Sequence, residues 1–90
     1  MKFLRELMEL GDLLEESGLD AGDAKDYVLS ATKRAKKRKI SVIRALQSYA
    51  KPDARETSKS YQLHIALKEI GDARLNRFRA LATTPFALVV

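Results

Sequence analysis

The sequence predicts an all-α fold, a small bundle of three to five helices with a long C-terminal helix. Three observations carry that expectation. Apolar residues recur at three- and four-residue steps in several stretches, the spacing of one helix face. Short polar residues and glycines stand where those stretches begin and end, as helix caps require. The chain has 90 residues, room for one domain, so 1–90 is read as a single helical unit.

The first element is an acidic helix over 3–16. Phe3, Leu4, Leu7, Leu10 and Leu14 form its stripe, and Met8 widens it. Gly11 lies inside it, at a cost of about 1 kcal/mol relative to alanine. Ser17-Gly18 stops it, with Gly18 free to take the left-handed conformation of a C-terminal cap. Asp20 caps a basic helix over 21–38, and Asp23 suits its positive first turn. The apolar face of this helix is Ala24, Tyr27, Val28, Ala31 and Ala35, mostly small, so a neighbour can approach closely. It closes on Lys33-Arg34-Ala35-Lys36-Lys37-Arg38-Lys39, cations placed at the negative end of the helix dipole.

Ile40-Ser41 reads as a break, with an unbroken helix through 39–41 as the alternative. Ser41 caps a short helix over 42–50, on which Val42, Ile43, Leu46 and Tyr49 keep helical spacing. Lys51-Pro52 ends it, because a residue before proline is pushed out of the helical region. Asp53 and Glu56 form a partial capping box, so a long helix is expected over 54–82. Its stripe is Tyr61, Leu63, Leu67, Ile70, Phe78 and Leu81, with Ala66 and Ala73 beside it. Gly71-Asp72 is a point where it kinks or divides. Thr83-Thr84-Pro85 stops it and leaves an apolar tail over 85–90, including Phe86 and Leu88, expected to dock on the chain's own helices or a second copy. Leu7–Asp12 and Leu67–Asp72 share the pattern Leu-x-Glu-aliphatic-Gly-Asp. Their flanks differ, which favours two helices each softened at a Gly-Asp step over a true repeat.

Several function classes drop out. There is no cysteine, so neither a disulfide nor a zinc-binding thiolate is available. His64 is the single histidine, on a helix between Leu63 and Ile65. No Ser-His-Asp order, glycine-rich phosphate loop or His-Glu-x-x-His motif occurs. The paired acids Glu15-Glu16 and Asp20/Asp23 fit helix ends and caps. The expectation is a protein that is not an enzyme and needs no cofactor or metal. No apolar run approaches the roughly 18 residues that span a bilayer. The charged start, Met1-Lys2-Phe3-Leu4-Arg5-Glu6, lacks the apolar stretch of a signal peptide. A cytoplasmic protein of bacterial or phage type, with no membrane contact, is expected.

Charge is the strongest functional signal. The net charge is +5, unevenly spread. Residues 1–26 carry eight acids against Lys2, Arg5 and Lys25, a net of −5. Residues 27–60 carry ten bases against Asp53 and Glu56, a net of +8. Such asymmetry points to an electrostatic partner for the middle of the chain, or to an internal match between its parts. Lys33, Arg34, Lys36, Lys37, Arg38 and Lys39 form a run that phosphates reward through counterion release. Arg44, Lys51, Arg55 and Lys59 extend it if the third helix folds back. The plainer readings are a solvated helix end, or pairing with the acidic first helix within the chain or across a dimer. Arg74, Arg77 and Arg79 make a smaller basic group, most simply a solvated face.

The leading expectation is a regulator that binds nucleic acid electrostatically through the basic helix. A helix-turn-helix has weaker support, since the turn at Lys51-Pro52 lacks glycine. Single-strand stacking has little, since no aromatic residue interleaves the basic run. The alternative is a small protein-binding regulator or inhibitor, such as a phage factor that blocks a host protein. It would meet an acidic surface through the basic patch and anchor through Tyr61, Leu63, Leu67, Ile70, Phe78, Leu81, Phe86 and Leu88. The length of the last helix favours a homodimer, because one copy of so small a bundle leaves part of that stripe uncovered. Leu75-Asn76, the apolar residues after it, Pro85 and the Val-rich end resemble the close of plasmid quorum-sensing antiactivators, small helical proteins that bind a transcription factor. That resemblance covers the last third of the chain and assigns no family.

Overall fold

A computed structural model describes residues 2–82 of the chain. Their regular secondary structure is all helical: α1 (Lys2–Glu16), α2 (Ala21–Arg38), α3 (Val42–Tyr49), α4 (Lys59–Ile70), α5 (Asp72–Leu75) and α6 (Arg79–Ala82). α2 packs between α1 and α3, while α4 and α6 each lie against both α1 and α3.

The junctions between the first three helices fall where local chemistry directs. Gly18 is left-handed (φ 107). Its N–H donates to Glu15 O at 3.0 Å and that of Leu19 to Leu14 O at 3.1 Å. This is a Schellman ending, and the apolar pair that accompanies it is Leu14 and Leu19, both buried. Asp20 caps α2, its carboxylate accepting from the N–H groups of Gly22 (3.0 Å) and Asp23 (3.2 Å). At the other end Lys39 takes the left-handed conformation (φ 58), and Ile40 N–H donates to Ala35 O at 3.1 Å. The helix therefore breaks at 39–41. Ser41 caps α3 by accepting from Arg44 N–H at 3.1 Å.

The helix expected over 54–82 is replaced by a loop and three shorter helices. Pro52 to Ser58 turns instead of winding, with Ala54 N–H bonded to Lys51 O and Ser58 N–H to Arg55 O. Ser58 displaces the Asp53/Glu56 pair as the cap, its Oγ accepting from Tyr61 N–H at 3.2 Å. Gly71 (φ 83, ψ 151) ends α4, its N–H bonded to Leu67 O. The burial pattern explains the break. In one straight helix Leu75 would point about 140° away from Ile70. Divided at Gly71, the chain buries both, and a second turn at Asn76–Phe78 buries Leu81 as well. The loss of the long helix also removes the ground on which a homodimer was expected.

One apolar cluster joins Leu10 and Leu14 of α1, the small face of α2, Val42, Ile43, Ala45 and Leu46 of α3, Leu63, Ala66, Leu67 and Ile70 of α4, Leu75 and Leu81. Glu6 is the one buried charged side chain among the described residues; its Oε1 accepts from Ala80 N–H at 3.0 Å. Leu4 and Met8, expected in the core stripe of α1, are instead 56% and 72% exposed. The tail over 85–90, with Phe86 and Leu88, lies outside the described residues.

Candidate nucleic-acid interface

The last turns of α2 are shaped by what they bury. Ala31 and Ala35 are fully buried, and α3 packs along α2. That packing turns Lys33, Lys36, Lys37, Arg38 and Lys39 outward, and all five are exposed. Arg34 is different. It is half-buried, its guanidinium lying 4.0 Å over the Tyr49 ring and donating to Ser48 Oγ at 2.8 Å. Ser48 Oγ in turn donates to Ala45 O. The Tyr49 hydroxyl donates to Ser30 O on α2 at 3.1 Å, and the Tyr27 ring stands 5.9 Å from that of Tyr49. The aromatic residues that tie α3 to α2 therefore also fix one cation.

Ser30, Lys33, Arg34, Lys37, Arg38 and Tyr49 line an open depression of about 340 Å³. Its rim holds exposed cations on long stems, and one wall holds a guanidinium fixed by stacking and a hydrogen bond. A planar guanidinium offers several donors in a fixed fork, which suits phosphate or carboxylate oxygens. Among the described residues, none of Lys33, Lys36, Lys37, Arg38 and Lys39 forms an ion pair. Pairing of the cluster with the acidic face of α1 is thus absent among these residues.

The remaining predicted bases fall elsewhere. Arg44 is exposed on α3, and Lys51 and Arg55 are exposed in the loop before α4. Lys59 Nζ lies 3.2 Å from Asp23 Oδ1. Its hydrogen bond to Asp23, with the charge of that carboxylate, raises the Lys59 pKa above its usual value. Asp23 is in the first turn of α2, about 20 Å along the axis from the basic cluster. Lys59 is therefore ion-paired at the start of α2, away from that cluster. Arg74 and Arg77 flank a separate depression with Glu6, Glu9, Leu13 and Phe78, and Arg74 Nε donates to Ile70 O at 3.2 Å.

The residues expected to anchor a protein partner are mostly consumed by the fold. Leu63, Leu67, Ile70 and Leu81 are buried in the chain's own core, and Tyr61 and Phe78 are half-buried. Sequence reasoning missed the parts of the site contributed by α3, namely Ser48 and the stacking of Tyr49 on Arg34. An aromatic residue one helix away from a basic run was the available signal. Comparison with known protein families, curated proteins and solved structures finds no match to this chain.

Proposed function

We propose that this protein is a non-enzymatic regulator that binds nucleic acid electrostatically through the C-terminal end of α2. The observation that carries the reading is the free basic cluster: Lys33, Lys36, Lys37, Arg38 and Lys39 stand in solvent without carboxylate partners among the described residues. Neutralising backbone phosphates with such a cluster releases condensed counterions, so affinity falls steeply with salt. Arg34, held over the Tyr49 ring, supplies a positioned donor on one wall, while the lysines supply adaptable ones. Contacts of this kind go to phosphates and carry little sequence preference.

Fluorescence anisotropy with labelled duplex DNA and with RNA tests this. For five or six phosphate contacts, affinity should drop about a thousandfold between about 50 and 200 mM salt. The triple variant Lys33→Ala, Lys37→Ala, Arg38→Ala changes only exposed side chains and should lose most low-salt binding while keeping its helical circular dichroism. No binding to either nucleic acid at low salt defeats the proposal.

The Arg34–Tyr49 pair also supports a second reading, an acidic protein surface as the partner. Arginine and tyrosine, with tryptophan, are enriched among the residues that anchor protein interfaces. Under that reading Arg34→Ala weakens the complex more than loss of any one exposed lysine.

A further inference from the structure

Three of the four large apolar side chains most exposed among the described residues gather at one place. Leu4 (56%), Met8 (72%) and Leu29 (51%) border a groove of about 530 Å³ between α1 and α2, while Ile65 lies apart on α4. Leu7, Gly11, Ala24 and Val28 also line it. From Leu4 to Glu15 the groove follows α1 for about 16 Å, or three helical turns. None of its lining residues belongs to the basic depression on α2.

Gly11 shows that the groove does not arise simply from close packing of the two helices. A Cβ built there would meet only Val28 Cγ2, at 4.0 Å, an ordinary contact. Alanine would fit and would favour the helix. Glycine keeps the floor open.

The charges at the groove decide what fits it. Because α2 returns along α1 after a short turn, and Gly11 faces Val28, Lys25 lies level with Asp12 and Glu15. Leu29 lies toward Leu4 and Met8. One end of the groove is thus charged and the other apolar, with acids on the α1 wall and a lysine on the α2 wall. Within the chain Lys25 forms no ion pair with Asp12 or Glu15. A two-fold axis running along the groove would lay α1 of one copy over α2 of another. It would match apolar end to apolar end and bring each Lys25 to the acids of the opposite wall, the self-complementarity of an isologous interface. The four helices would then alternate in direction, as in an antiparallel bundle.

We propose that the α1/α2 groove is a homodimer interface, in which Met8 of each copy packs on Leu29 of the other, Leu4 extends the apolar end, and Lys25 pairs across the axis with Asp12 and Glu15. This interface is independent of the nucleic-acid reading and is tested without any ligand. Sedimentation velocity over a concentration series should show a dimer that dissociates on dilution. Lys25→Glu alone and the double variant Asp12→Lys, Glu15→Lys should each weaken association about tenfold or more. An equimolar mixture of the two variants restores both sets of opposite charges across the axis, so it should dimerise like the unmodified chain. Met8→Glu, at the most exposed of these positions, should give a monomer with unchanged helical circular dichroism; if it unfolds, the mixing experiment decides. A monomer at every concentration, or variants that do not recover on mixing, overturns the proposal.

Discussion

Lys39 holds a left-handed backbone conformation, φ 58, and is the only non-glycine residue to do so among the described residues. A Cβ in that region clashes with the following carbonyl at a cost of about 1–2 kcal/mol. The conformation persists because Ile40 N–H reaches Ala35 O and the chain turns in time for Ser41 to cap α3. Glycine removes the clash but is more disordered in the unfolded chain, which offsets part of the gain. Lys39→Gly should therefore raise unfolding free energy by about 1 kcal/mol, read as a higher midpoint in urea. An unchanged or lower midpoint would show that the lysine side chain contributes more than its backbone costs.

The ends of α1, α2 and α3 were legible because each is fixed by chemistry within a few residues. Gly18, Asp20 and Ser41 bond to backbone groups at most a turn or so away. The second half of the chain was less legible for the same reason inverted. Asp53 and Glu56 offered a local cap, but Ser58 is the residue that caps. Gly71 could have kinked a long helix, and the need to bury both Ile70 and Leu75 turns that option into a break. Burial is a property of the whole packing and has no signature in a single stretch. Ser58→Ala should cost about 1 kcal/mol. Hydrogen exchange should show the loss first in the amides of Tyr61 and Gln62; an unaltered exchange pattern there would mean that Ser58 is not the cap that matters.

At the scale of the molecule, the two ends of the described chain are joined through Glu6. Its Oε1 satisfies the N–H of Ala80, 74 residues away, at the start of a helix of only four residues. Glu6 is one of eight acids in residues 1–26 and nothing in its neighbours marked it for burial. Glu6→Ala would leave a part-buried N–H without an acceptor, at a cost of about 1–3 kcal/mol. We expect that loss to appear as a lower thermal midpoint, with α6 the first segment to exchange its amide protons. The basic run was legible from composition alone, whereas its immobilised member was not. Arg34 becomes distinct only when α3 folds back and places Tyr49 beneath it.

That stacking has an optical consequence. The chain has no tryptophan and three tyrosines, so its near-ultraviolet emission comes from Tyr27, Tyr49 and Tyr61. Two of the three rings lie within 5.9 Å of each other beside the basic depression, and one of them carries the guanidinium. An anion that binds Arg34 where it lies over the ring changes the surroundings of Tyr49 directly. The unlabelled protein is therefore its own indicator, and titration of inorganic phosphate, nucleic acid or an acidic peptide can be followed from the light it emits.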